Sequence, residues 1–346
     1  MKRIVLIVLG LVLATYASAA PRPKPSFHSL ESAVAWINSY PATREPSHAP
    51  AAIRAVSTYG GFRDADSSGI YVGFIAGLLS SHPDKADALI DAMLPVGAAD
   101  EWVIVRGIAY SGLPRWKDLL RKYSDRLPTR QVMIAEYLAG RSPTLGALTI
   151  THSPTTWQRV RNAFAIDWPG SKKDEKPPVL APSQIVLDTL WGYYLASGSY
   201  GPLLRMVELL PWSKDRDDAE RLTVGSMAKY TLAANALRDR DLLAKLKIIR
   251  NAKSQPKETV TVLDETIKAA ETAEIGALRK NALSAIEQLK TKGPGYKRDV
   301  NNWAKVGQGA LAVGCVTAAV MGQVALGLPC VIGGGASSAA MYYVNQ

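Results

Sequence analysis

The last 39 residues of the chain, Gln308 to Gln346, contain no Asp, Glu, Lys or Arg, although the whole chain carries 30 acids and 41 bases. A helix that faces water keeps charge on its outer side. A charge-free stretch of this length must therefore be covered by the rest of the protein, by another chain or by lipid. Gly309 to Leu328 spans 20 residues with Thr317 and Gln323 as its clearly polar members, which just reaches the length of a bilayer span. Cys330 to Val344 adds a second apolar piece of 15 residues, with Gly333, Gly334, Gly335, Ser337 and Ser338 inside it. Together they predict an apolar helical hairpin.

Three homes compete for that hairpin. A membrane is the simplest. Against it, Lys290, Lys292, Lys297, Arg298 and Lys305 directly precede the tail and would stay outside after export, contrary to the positive-inside tendency. A pair of terminal helices in a soluble core is the second home, and a seam with a partner or between copies of the chain is the third. Gly307, Gly314, Gly322 and Gly327 would let helices approach closely in any of them. In composition the tail is similar to the glycine-rich membrane segments of some bacterial envelope proteins.

The two cysteines, Cys315 and Cys330, both lie in this tail. A turn at Gly327-Leu328-Pro329 would set Cys330 opposite Leu326, with Cys315 roughly 16 Å away along the helix. A disulfide needs Cα atoms within roughly 7 Å, so a bridge requires a turn near Gly322-Gln323. Otherwise the pair remains as two buried thiols.

Residues 1–19 read as a secretory signal peptide. Lys2 and Arg3 start it, Ile4 to Leu13 is apolar, and Ala17-Ser18-Ala19 is a small-x-small cleavage site. The expectation is an exported protein, periplasmic or envelope-associated in a bacterium. Removing Lys2 and Arg3 lowers the net charge from +11 to +9.

Residues 20–50 form a Pro/Ser-rich leader with one helix start, Ser29 serving as N-cap. Residues 51–152 show helical spacing of apolar residues. Ile70, Phe74, Leu78 and Leu79 make one stripe; after Ser80-Ser81-His82-Pro83, Ala86, Leu89, Ile90 and Met93 make a second. A like pair covers Val103 to Tyr110 and Trp116 to Tyr123, and a third covers Val186 to Ala196 and Leu203 to Leu210. Residues 153–182 are a charged, Pro-rich exposed loop. Residues 183–307 resume the helices from Ser183, with Glu258 to Lys290 expected as one long helix. The fold class is all-α: helical hairpins stacked as an irregular α-solenoid or a bundle, followed by the apolar hairpin of 308–346.

Gly73, Gly107 and Gly192 each sit in the first helix of a hairpin, where a small residue would let the second helix come close. Gly73 and Gly107 are 34 residues apart, the period of tetratricopeptide-type hairpins. The chain thus resembles a degenerate tetratricopeptide-like array over about 150 residues, with Gly192 outside the period. That resemblance implies a concave, protein-binding surface; generic helical hairpins would give the same spacing.

Charge is uneven. Arg238 to Lys257 holds seven bases and two acids, and Arg279 to Arg298 holds six bases and one acid. The candidate contacts for an anionic surface are Arg238, Arg240, Lys245, Lys247, Arg250, Lys253, Lys257, Arg279, Lys280, Lys290, Lys292, Lys297 and Arg298. Such patches suit a headgroup layer or an acidic partner, and as solvated helix faces they need neither. No nucleic-acid motif is present.

Catalytic signatures are missing. His28, His48, His82 and His152 never pair at helical spacing, so no metal site or other cofactor is expected. There is no nucleophile elbow, phosphate loop or dinucleotide fingerprint. Asp215, Asp217, Asp218 and Glu220 read as the acidic start of a helix. The leading expectation is a protein-binding or scaffold module held at a membrane or in an assembly by its tail, with another envelope protein or an anionic membrane as partner and self-association through the tail also open. A bilayer-perturbing hairpin and an enzyme without recognisable motifs are the alternatives.

Overall fold

The computed structural model describes residues 27–150, 178–215 and 218–274, with Gly276, Leu278, Lys280, Asn281 and Ser284. The expected signal peptide, most of the expected loop at 153–182, both cysteines and the uncharged tail lie outside them. The described residues form twelve α-helices and no strand. An isolated parallel bridge, Leu148 to Leu180, ties together the two chain segments that flank residues 151–177.

The centre of the fold is a pair of helices, α3 (Gly69–Ser81) and α8 (Gln184–Ser197). Ile70, Tyr71, Val72, Phe74, Ile75, Leu78 and Leu79 leave α3 without a polar face, so it can only be stable when covered on all sides. It is buried from Gly69 to Leu79, and α8 from Val186 to Ala196. Their backbones touch. A Cβ built on Gly73 would stand 1.9 Å from the Thr189 carbonyl oxygen, and one on Gly192 would stand 2.0 Å from that of Ile70. Gly69 and Gly77 continue the same edge of α3, at 2.5 Å from the Ile185 oxygen and 2.4 Å from the Tyr193 oxygen. The partner of Gly73 is therefore not the second helix of its own hairpin. It is a helix more than a hundred residues away, a distance that hairpin-local reasoning does not reach.

The other helices cover this pair. α1 (Leu30–Thr43) starts at Ser29 in a capping box with Ser32, and α2 (Ala49–Thr58) follows it. Ala33, Val34, Ile37 and Tyr40 of α1 are buried, and Tyr40 meets Phe74 edge-on at 5.1 Å between ring centroids. The described part of the leader is thus built into the core, and α2 runs across the expected boundary at residue 50. Arg44, left-handed at φ 46, ends α1 and donates from Nη1 to the Ser197 carbonyl at 3.1 Å. A cation is favourable there, at the C-terminal end of α8.

α4 (Ala86–Met93) and α6 (Trp116–Tyr123) are the expected second helices of two hairpins, and α5 (Glu101–Tyr110) and α7 (Gln131–Leu138) flank them. α5 closes on α3 at Gly107, where a Cβ would lie 2.5 Å from Ile75 Cγ2. A seam of charges joins α4 to α6. Asp87 accepts from Lys122 Nζ at 2.7 Å and from the Tyr123 hydroxyl at 3.1 Å, Arg115 lies 3.7 Å away, and Asp91 pairs with Arg126.

α9 (Tyr200–Leu209), α10 (Ala219–Ala236), α11 (Arg240–Asn251) and α12 (Lys257–Glu271) complete the body. The single helix expected over Glu258 to Lys290 is interrupted. The Glu274 amide donates to the Ala269 carbonyl at 3.1 Å, and Ala273 takes φ 58. This is a Schellman stop with alanine where glycine is usual, and so it carries no glycine signal. Buried residues run from Ala33 to Ala270 as one core. Hairpin arrays touch only their neighbours, whereas here α3 lies against α8 and α1 also packs on α8.

Candidate functional site

The best-described of the sequence-selected residues lie on α11 and α12. Asp239 caps α11, its Oδ1 accepting from the Asp241 and Leu242 amides at 2.9 and 3.0 Å. Leu242, Leu246 and Ile249 then face the core. α12 packs back antiparallel, burying Val262, Leu263, Ile267 and Ala270. This leaves Arg240, Lys247, Ile248 and Arg250 on the outer side of α11, with Ile248 at 52% exposure.

Folding changes the charge balance. Arg250 meets Asp264 through Nε at 2.7 Å and Nη2 at 3.3 Å, and Lys247 meets Glu271 at 2.6 Å. Lys245 pairs with Asp241 and lies 5.4 Å from the centre of the Tyr194 ring. Glu265 accepts from Lys214 at 2.9 Å and from Lys229. Burial pushes the Glu265 carboxyl up, but the hydrogen bonds and charges of the two lysines outweigh it and hold the group below its ordinary value. From Arg238 to Glu274 the chain holds eight bases and seven acids, so a segment that is basic alone is nearly neutral as a folded hairpin.

Arg240, Lys253 and Lys257 are exposed and make no ion pair with a described residue. The structure does not gather them. Arg240 opens α11 and Lys253 follows its far end, roughly 20 Å away at 1.5 Å per residue. Arg238 and Lys280 are also exposed. Arg279, Lys290, Lys292, Lys297 and Arg298 lie outside the described residues, as do Cys315 and Cys330.

Of the acidic cluster, Asp217 lies outside the described residues, while Asp218 and Glu220 stand at the start of α10. Asp218 caps α10, accepting from the Arg221 amide at 3.0 Å, and Asp215 lies 3.4 Å from the Arg221 guanidinium. Burial, with help from Asp218, raises the Glu220 carboxyl. Instead of standing free in its turn, His82 is half-buried, its Nδ1 3.0 Å from the Leu78 carbonyl. Among the described residues no three His, Cys, Asp or Glu side chains converge for a metal, and no helix is long and apolar enough to cross a membrane.

Base counting along the chain overlooked the α12 acids as partners of the α11 bases. It also passed over Arg106, one base in an apolar helix, whose signal is the lack of any acid three or four residues to either side. Compared with known protein families, curated proteins and solved structures, the chain matches none.

Proposed function

We propose that this chain is an exported envelope protein whose helical body binds another protein or an anionic membrane surface, and whose uncharged tail holds it at a membrane or in an assembly. One observation carries the reading: a 39-residue stretch without a charge follows a body whose buried core already runs from Ala33 to Ala270. An apolar element beyond a continuous core needs cover of its own. In this reading the body is an irregular bundle around α3 and α8 and the tail is a separate apolar hairpin. Arg240, Lys253, Lys257 and Lys280 are the described candidates left without an ion pair to a described residue, and in sequence the basic run from Arg279 to Arg298 joins them to the tail.

The test compares the full chain with a form lacking Gly309 to Gln346, each expressed with its own leader, fractionated and washed with alkaline carbonate. The expected result is full-length protein in the membrane pellet and truncated protein in the soluble fraction, with an unchanged cooperative melt. Full-length protein released by the wash would remove the membrane anchor. Loss of the melt on truncation would make the tail part of the core.

A further inference from the structure

We infer that the half-exposed edge of α5 anchors a carboxylate from an acidic segment of a protein partner, taken by Arg106 on the face of Trp102. The kind of occupant rests on the protein-binding reading above; the geometry does not. In α5 only Trp102 and Arg106 reach the surface, and every other residue from Glu101 to Tyr110 is buried. The Arg106 guanidinium carbon lies 5.1 Å from the centre of the Trp102 ring. Its Nε is shielded from solvent and has no hydrogen-bond partner among the described residues.

A half-buried guanidinium ordinarily has a carboxylate beside it, because removing the charge from water is costly. Here the positions one helical turn away are Trp102, Val103, Ala109 and Tyr110, none of them acidic. The acids that start the helix are committed elsewhere. Asp100 accepts from the Ser57 hydroxyl at 2.6 Å, and Glu101 accepts from the Thr129 hydroxyl at 2.6 Å and its amide at 3.0 Å. Among the described residues Arg106 has no acceptor, and its two Nη groups, unlike the shielded Nε, remain as the side of the planar fork that a carboxylate from outside can meet in two parallel hydrogen bonds.

The helix that carries the fork is braced. α5 and α7 run side by side, joined at one end by Glu101 and Thr129 and at the other by the Tyr110 and Tyr137 rings, 6.4 Å apart. Trp116 packs edge-on to Tyr137 at 6.4 Å. An arginine stacked on a fixed tryptophan loses little freedom on binding, and Trp, Tyr and Arg are the residues that dominate binding energy at protein interfaces.

The experiment titrates the full chain with a fluorescent oligoglutamate of about eight residues at about 0.15 M salt, where distant charges are screened. Oligoglutamine of the same length is the control. The expected result is binding of oligoglutamate alone, weakened about tenfold by Arg106→Gln and less by Arg106→Lys, which keeps the charge but loses the fork. Lys85→Gln, an exposed cation outside the candidate anionic-surface contacts, should stay within about twofold. Equal affinity of wild type and Arg106→Gln would overturn the inference, as would an equal loss in Lys85→Gln or no oligoglutamate binding at all. Should Arg106→Gln fail to fold, Arg106→Lys decides, and wild-type affinity in that variant is fatal. The titration does not depend on the tail, so failure of the membrane anchor and failure of this site are separate results.

Discussion

Gly73 of α3 stands against the backbone of Thr189 in α8 with no room for a side chain: a Cβ there would lie 1.9 Å from the Thr189 carbonyl oxygen and 2.8 Å from the Tyr193 amide. The obstacle is backbone of a buried helix, so neither partner can turn aside. Gly73→Ala should cost about 3 kcal/mol, the upper end for overpacking, and Gly192→Ala should cost as much. Gly276→Ala, at an exposed helical position where nothing lies within 4 Å, is the comparison and should leave stability unchanged or raise it by up to about 1 kcal/mol. Urea denaturation of the three variants decides. Equal stability of Gly73→Ala and wild type would mean that α3 and α8 do not touch as described.

Asp87 ties α4 to α6. The hydrogen bond from Lys122 holds its carboxyl below the ordinary value of 3.8; partial burial opposes this, and the Tyr123 hydroxyl and the charges of Lys122 and Arg115 add to it. A carboxylate with a lowered pKa favours the folded state above the unfolded chain's pKa and loses that contribution as pH falls through the folded pKa. Asp87→Asn should therefore cost about 1 kcal/mol at pH 7, allowing for the partial exposure of the pair. The cost should shrink below about pH 4 as wild type takes up its proton. Melting curves of both proteins between those pH values test the sign, and a difference that grows on acidification would refute it.

The interruption after α12 makes a prediction of opposite direction. Ala273 takes the left-handed position of a Schellman turn at φ 58 and is exposed. A side chain in that conformation costs about 1 kcal/mol that glycine avoids. Ala273→Gly should stabilise the protein by about that amount in urea denaturation, whereas Ala269→Gly, buried inside α12, should destabilise it. If both variants lose stability, the helix continues through this point.

The hairpins were legible because their signals are local. Stripes at three- and four-residue spacing, Pro and Gly breaks, and the caps Ser29 and Ser183 all lie within a turn or two of what they specify. Gly73, Gly107 and Gly192 were recognisable as close-approach residues, but their partners were not, since the helix that each meets is chosen by the tertiary fold. The stop at Ala273 was hidden because alanine is the strongest helix former. The charge patch misled for the same reason as the glycines: Asp264 and Glu271 lie 14 and 24 residues beyond Arg250 and Lys247, and only the antiparallel return of α12 brings them back.

That return sorts the basic residues into two groups with different expected behaviour. Lys247 and Arg250 are already paired with Glu271 and Asp264, while Arg240, Lys253 and Lys257 are not paired with any described residue. A basic side chain near an anionic bilayer contributes about 1 kcal/mol, or roughly fivefold in binding, when its charge is not compensated. In co-sedimentation with vesicles rich in phosphatidylglycerol, Lys253→Gln with Lys257→Gln should weaken binding by about tenfold or more. The second pair, Lys247→Gln with Arg250→Gln made together with Glu271→Gln and Asp264→Asn, should change it by about twofold or less, because removing both members of each ion pair leaves the net charge unchanged. This second variant should instead lower stability slightly, by up to about 1 kcal/mol. If the two variants weaken vesicle binding equally, the ion pairs with α12 do not persist at the membrane. If neither variant matters, the described hairpin does not meet the bilayer, and any anionic-surface contact belongs to Arg279 through Arg298.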